Sequence, residues 1–179
     1  MTENAIGSPN KKKEILKNRA EKLAKLSETQ NTANASIKVL EFKLAKESYA
    51  IELRYIQEVY RIKDFTPLPT VPAFVFGLIN VRRKILSVID LHVLFGIPRK
   101  EEAIGKKAII IQKNDMEFAF LTDDILGVEL IQLDAIQPTL PTLIGIQQEL
   151  LRGITVDGLA ILDGEKLLTD SRIVVNESV

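Results

Sequence analysis

The sequence predicts a mainly β protein of two similar small β-barrels, with a helical extension at the N-terminus and a short helix at the C-terminus. Three observations point there. Between Ile37 and Leu162, short apolar runs alternate with polar residues and are broken by turn residues, the pattern of half-buried strands. The two halves of that region repeat each other. So many short strands in one open sheet would leave unpaired edges, and barrel closure removes them.

The repeat is visible residue by residue. Tyr49-Ala50-Ile51 aligns with Phe118-Ala119-Phe120, and in the same register Ile56 meets Ile125, Val59 meets Val128 and Ile62 meets Ile131. Gly77 then matches Gly153, each at the head of a hairpin, and Asp90 matches Asp163. The first hairpin is longer at its tip, by the segment holding Arg82, Arg83 and Lys84.

Residues 1–36 read as an extension outside the barrels. Ser8 and Asn10 are candidate helix caps, and Pro9 suits a first helical position. Leu16, Ala20, Leu23 and Ser27 follow helical spacing, with Ile15 and Leu26 beside them, so Lys11 to about Ser27 reads as an amphipathic helix with a narrow apolar stripe. Residues 30–36 read as a linker. An isolated helix of this length is marginal in water, so a solvated tail and a docking helix both fit.

From Ile37 the pattern is β. Leu40, Phe42 and Leu44 alternate with charged residues, Lys46-Glu47-Ser48 makes a turn, and Tyr49, Ile51 and Leu53 alternate again. A short helical turn at Tyr55-Ile56-Gln57 and a strand from Val59 to Ile62 follow. Pro67, Pro69 and Pro72 mark an irregular connection. Gly77 to Val81 and Ile85 to Ile89 are the arms of a hairpin. Asp90 to Phe95 forms one or two helical turns ended by Gly96 and Pro98, and Arg99 to Lys107 is a charged connector. The first barrel thus covers about 37–105 and the second about 106–165. In the second, Ala108–Ile111, Glu117–Thr122 and Gly127–Ile131 are strands, Pro138 and Pro141 mark another irregular connection, and Gly153–Val156 and Leu159–Leu162 flank Asp157-Gly158, a strong turn signal. The C-terminal segment, 166–179, includes most of a short helix running from Glu165 to about Arg172.

Composition excludes several functions. The chain has no cysteine, which removes disulfide scaffolds, thiol nucleophiles and thiolate zinc sites. Its one histidine, His92, sits in the apolar run DLHVLF and reads as structural, because catalysis needs a base oriented beside a nucleophile. Asp123-Asp124 reads as turn acids or a solvated face. No GxGxxG, GxxxxGK or HExxH pattern occurs, and no cofactor or metal site is expected. No run approaches the ~20 apolar residues of a membrane helix, and the N-terminus lacks a signal-peptide core, so a cytoplasmic protein without direct membrane insertion is expected. The formal net charge is zero, divided as +3 over residues 1–36 and −3 over the rest. An acidic body is a poor match for nucleic acid. Tyr55, Tyr60 and Phe65 beside Arg54, Arg61 and Lys63 keep a single-strand-binding barrel as the alternative class.

The stretch from Pro69 to Leu91 carries the strongest sign of recognition. A basic tip, Arg82-Arg83-Lys84, is held in solvent by apolar arms. Arginine beside water-excluding apolar groups suits a protein–protein interface.

The chain resembles the CheW family of chemotaxis coupling proteins. The matching residues are Tyr49-Ala50-Ile51, Ile56-Gln57-Glu58-Val59, Pro69 with Pro72, Phe74-Val75, Gly77-Leu78-Ile79-Asn80-Val81-Arg82 and Val88-Ile89-Asp90-Leu91. In the second half they are Asp123, Ile125, Gly127-Val128, Gly153, Leu162-Asp163 and Lys166-Leu167-Leu168. Their order and spacing, over about Ile37 to Asp170, carry the resemblance.

It implies two five-stranded SH3-like barrels packed around a shared core, and no catalysis. It implies an adaptor that couples the cytoplasmic hairpin of a chemoreceptor to the regulatory domain of a CheA-type histidine kinase, in arrays at the membrane. It places receptor contacts at Ile56, Glu58, Asn80 and Arg82, with Val81, Arg83 and Lys84 as possible additional contacts. Ile56 would supply apolar contact, and the other three of the first set polar anchors. A plain surface pair between Glu58 and Arg82 is the competing reading. Two departures stand out: Arg83 lies where the family usually has glycine, so a positive φ there would be strained, and Ser87 lies where it often has proline. They leave open a related scaffold in another chemosensory pathway, such as one for pili or gliding.

Overall fold

The protein is described as a computed structural model, which describes residues 35–98, 107–138 and 145–173. The helix predicted over Lys11–Ser27 lies outside those residues, as do nearly all of the charged connector and everything after Ile173. Among the described residues, eleven strands form two sheets. Strands β1 (Ser36–Leu44), β2 (Glu47–Glu52), β8 (Asp124–Gln132), β9 (Ile136–Gln137), β10 (Leu151–Thr155) and β11 (Ala160–Leu162) make a six-stranded sheet in the order β8-β1-β2-β11-β10-β9. Strands β3 (Ile56–Arg61), β4 (Val75–Val81), β5 (Lys84–Ile89), β6 (Lys107–Lys113) and β7 (Met116–Thr122) make a five-stranded sheet in the order β3-β6-β7-β5-β4.

The strands are shared out differently from the two consecutive barrels expected at 37–105 and 106–165. β1 and β2 lie with the last strands of the chain, while β6 and β7 lie with β3–β5. The cause is the parallel pairing of β2 with β11, where Ala50 meets Ile161 and Ile51 meets Leu162. Its counterpart is the parallel pairing of β5 with β7, where Val88 meets Ala119 and Ile89 meets Phe120. Under the sequence repeat these two pairings are the same pairing, so the repeat holds to the residue.

Each sheet rolls up on itself. The chain leaving β3 returns at Thr66, which exchanges two backbone hydrogen bonds of 2.8 Å with Leu78 of β4. The chain leaving β8 passes a 3-10 turn at Leu133–Ala135 and pairs as β9 with β10. Gly77 and Gly153 sit where these closing segments cross. A Cβ on Gly77 would lie 2.5 Å from the Thr66 carbonyl oxygen, and one on Gly153 would overlap that of Gln137. Both glycines also follow a register shift in their strand, which re-aims the backbone at the closure.

Three apolar clusters result. Val39, Ala50, Ile131, Leu159 and Ile161 fill the six-stranded unit, and Ile79, Val81, Leu86, Val88, Ile110 and Leu121 are among those filling the five-stranded one. The largest cluster lies between the sheets, where Phe42 and Phe120 meet at 5.3 Å between ring centroids. This shared core explains why β2 does not alternate as expected. Tyr49, Ala50 and Ile51 are all fully buried, because the strand is central and has a core on each face.

Helices seal the shared core. α1 (Leu91–Phe95) starts at Asp90, whose carboxylate accepts from the His92 amide, and stops at Gly96 with φ 68°. α3 (Gly164–Thr169) starts at Asp163, which accepts from the amides of Glu165 and Lys166. These are the caps that the repeat pairs. A further helix, α2 (Ile146–Leu150), is not anticipated by the sequence reading. The helical turn expected at Tyr55–Gln57 comes two residues earlier, at Leu53–Tyr55. The first turn closes at Ala45-Lys46, so Glu47 and Ser48 already belong to β2.

Candidate functional site

The hairpin of β4 and β5 turns in two residues. Val81 pairs with Lys84, so Arg82 and Arg83 alone span the corner. Their φ angles are 49° and 71°, the left-handed pair that matches strand twist but is usually filled by Asn-Gly. Arg83 therefore occupies a conformation that costs an L-residue about 1–2 kcal/mol. Arg83→Gly is expected to raise stability by about 0.5–1 kcal/mol, since glycine gives back part of that relief through its freer unfolded state. Thermal unfolding reads this directly, and a lower Tm for the variant would mean that the Arg83 side chain supports the tip.

Two ion pairs brace the corner. Arg82 Nη2 lies 2.8 Å from Glu58 Oε2, and Lys84 Nζ lies 2.7 Å from Glu117 Oε2. Glu58 stands on β3 just after a register shift opposite β6. Gln57 beside it bonds Gln112. Gln57, Glu58, Arg82, Lys84 and Glu117 line a cleft of about 250 Å³ that opens onto Val81, Leu86 and Ile110 of the barrel interior. The Arg82 side chain is 81% exposed while that of Glu58 is 28% exposed. The acid is thus a seated anchor, and the guanidinium keeps most of its donors turned to solvent.

Of the expected contact residues, Glu58, Val81, Arg82 and Lys84 line this one cleft. Val81 does so as a buried floor rather than a free contact. Ile56 and Asn80 lie outside the cleft lining. Ile56 is half-buried against the shared core, and Asn80 is exposed on β4 opposite Ile85. Ile85 is itself 70% exposed, an apolar surface at the tip that the sequence reading assigns only to a strand arm. Glu117 and Gln57 were also absent from the expected set. Strand alternation alone cannot find them, because β3 and β7 are joined through β6.

His92 and Asp123 form a second polar cluster. The imidazole is buried, with Nε2 3.0 Å from Asp123 Oδ2 and Nδ1 3.4 Å from Asp90 Oδ1. Asp90 beside the ring, aided by Asp123, holds the imidazolium above its ordinary range despite the opposing effect of burial. The Asp90 contact, at 3.4 Å, is longer than the Asp123 one. Asp123 Oδ2 also accepts from the Ala45 amide at 2.6 Å, so the cluster ties α1 to the β1–β2 turn. Asp124 points the other way, to Lys107 at 2.8 Å.

Of the aromatic residues of the nucleic-acid alternative, Tyr55 and Tyr60 are turned inward, while Phe65 stays 45% exposed. Tyr55 is buried beneath Arg54, Tyr60 packs on the barrel core, and Phe65 leans on Phe76 at 4.3 Å. Among the described residues no group of three or more His, Cys, Asp or Glu could hold a metal ion, and no helix is long and apolar enough to cross a membrane.

A model of the CheW-like domain matches residues 38–172. The chain is similar to a chemotaxis protein CheW of Treponema pallidum, 27% identical over 74% of this chain and 82% of that protein. A chemotaxis protein CheW of Thermotoga maritima is 36% identical over 50% of this chain and 59% of its own length. Protein PilI of Pseudomonas aeruginosa is 23% identical over 76% of each. Among solved structures, the scaffolding protein TtCheW from Thermoanaerobacter tengcongensis superposes with a TM-score of 0.64 at 30% identity, covering 72% of this chain and 85% of that one.

Proposed function

The chain belongs to the CheW-like domain family, and we propose that it acts as a chemotaxis coupling adaptor whose receptor contact is the Arg82 tip. The family match over residues 38–172 carries the coupling role. In this reading the adaptor works by binding alone. It holds the cytoplasmic hairpin of a chemoreceptor and, elsewhere on its surface, the regulatory domain of a CheA-type kinase, at membrane-associated arrays. Individual contacts need not be tight there, because many act together.

The exposed Arg82 guanidinium supports the choice of site. Fixed from below by Glu58, it offers its remaining donors to carboxylates or carbonyls of a receptor helix. Lys84 adds charge, exposed Ile85 offers apolar contact, and half-buried Ile56 would add to it. Asn80 supplies a neutral polar contact.

Calorimetry of the full chain with a chemoreceptor cytoplasmic hairpin tests this. Arg82→Glu is expected to weaken binding at least tenfold without unfolding the protein, since an exposed pair contributes only about 0.2–1 kcal/mol to stability. Equal binding by both proteins would move the site elsewhere. Absence of wild-type binding, at concentrations where the kinase regulatory domain binds, would remove the receptor arm of the proposal. The likeness to PilI favours one second reading, a scaffold of a pilus chemosensory pathway. Preference for the receptor of such a pathway over a flagellar one would select it.

A further inference from the structure

A broad groove lies on the six-stranded unit, away from the Arg82 tip. It has a volume of about 670 Å³ between β8 and the turn joining β10 to β11. Its lining contains three carboxylates, Glu41, Glu129 and Asp157, and neither lysine nor arginine. Its apolar wall is unusually open: Leu130 is 60% and Val156 80% exposed. An acidic groove with bare aliphatic side chains calls for a basic, amphipathic occupant.

The chain supplies one. We propose that residues 11–27, the predicted amphipathic helix, lie in this groove with the Leu16, Ala20 and Leu23 stripe against Leu130 and Val156. Three observations carry it. First, the chain enters the fold at the groove. Ser36 pairs with Gln132, a lining residue, and the Ala35 carbonyl accepts from the Leu133 amide at 2.9 Å. The eight residues from 28 to 35 can span about 25–29 Å, so the helix need not travel far. Second, the charges are complementary: residues 1–36 carry seven basic and four acidic side chains. Third, the family model covers residues 38–172 and so includes the whole lining of the groove, while residues 11–27 lie outside it, so the segment is an addition to the shared domain. The tether raises the local concentration of the segment to the millimolar range, which offsets the weakness of an isolated helix. Docking in turn orders the helix by burying its stripe.

The full chain has no native cysteine, so paired cysteines report the contact cleanly. Val156→Cys is combined with Ala20→Cys, on the apolar stripe, or with Asn18→Cys, on the opposite helix face. Both partners have the same tether and the same target. Under mild oxidation the Ala20→Cys pair is expected to close an intramolecular disulfide at least tenfold faster than the Asn18→Cys pair. Adding Glu129→Lys with Asp157→Lys is expected to erase the difference, and raised salt to reduce it. All of these positions on the folded body are exposed, so the variants keep their cores. Equal rates for the two pairs would overturn the proposal, because an unseated tether would show no facial preference. Disulfide-linked dimers in place of intramolecular closure would overturn it in favour of a second copy filling the groove.

Discussion

Gly77→Ala is expected to cost about 3 kcal/mol or more, enough to lower Tm by at least ~6 °C in a chain of this size. Two effects act together. The φ of Gly77 is 149°, a conformation that L side chains rarely adopt, and the new methyl would lie 2.5 Å from the Thr66 carbonyl oxygen. That oxygen is not free to retreat, since it accepts from the Leu78 amide at 2.8 Å in the bridge that closes the barrel. Relief of the overlap therefore opens the closure. Gly153→Ala meets the same obstacle in the other unit, where the added methyl would overlap the Gln137 carbonyl and approach Ile136 Cγ2 at 2.6 Å. Gly158 provides the contrast. Its φ is 84° but nothing lies within 4 Å of a Cβ there, so Gly158→Ala is expected to lose only the backbone term of about 1–2 kcal/mol. Thermal unfolding of the three variants should rank Gly77 and Gly153 above Gly158. A Gly77→Ala protein that melts within about 2 °C of wild type would mean that the bridge at Thr66 contributes nothing to closure.

The second large effect is tied to pH. His92 is the only histidine and cysteine is absent, so no other side-chain type ordinarily titrates between about pH 6 and pH 8. In the folded protein, Asp90 and Asp123 hold the imidazolium above its usual range; in the unfolded chain it titrates near ~6.5. The folded state therefore binds the proton more tightly. The stability it confers is complete below about pH 6.5 and is lost as pH rises through the higher folded value. Tm is expected to fall as pH rises from about 6.5 through the higher folded value. His92→Gln should flatten that fall and, at the acid end, cost about 3–5 kcal/mol, the usual loss when one partner of a buried ion pair is removed. A wild-type Tm that rises or stays level across the interval would contradict the assignment of a raised His92 pKa.

Much of this architecture is legible in the sequence, because local chemistry dictates it. Asp90 with Gly96, and Asp163 with its following amides, mark helix ends that depend only on neighbouring residues. The Asp157-Gly158 turn and the Arg82-Arg83 corner are likewise local. The repeat is legible because equivalent strands bury equivalent side chains. Other features depend on residues far apart, and single-strand patterns do not record them. Ala50 reads as a small residue on a wet face until β11 is laid beside β2. Asp123 reads as a surface acid because its partner, His92, arrives from another element. The interleaving of strands between sheets leaves no mark in either half, since each half contains a full complement of strands and closes a plausible barrel on paper. At the candidate site, Arg82 and Glu58 are legible through the family resemblance, whereas Glu117 is found only when the barrel brings β7 under the tip.

That interleaving also governs how the protein can be made. On the ribosome β1 and β2 emerge early and form their hairpin at once, but the other edge of β2 waits for β11. Glu52 and Leu162 are about 110 residues apart, which corresponds to roughly 5–20 s of synthesis. Throughout that interval Tyr49, Ala50 and Ile51, all fully buried at the end, lie on a strand whose second edge is still unpaired. Such an edge invites pairing with another nascent chain. The polypeptide is thus expected to be a client of ribosome-associated chaperones until β11 has emerged.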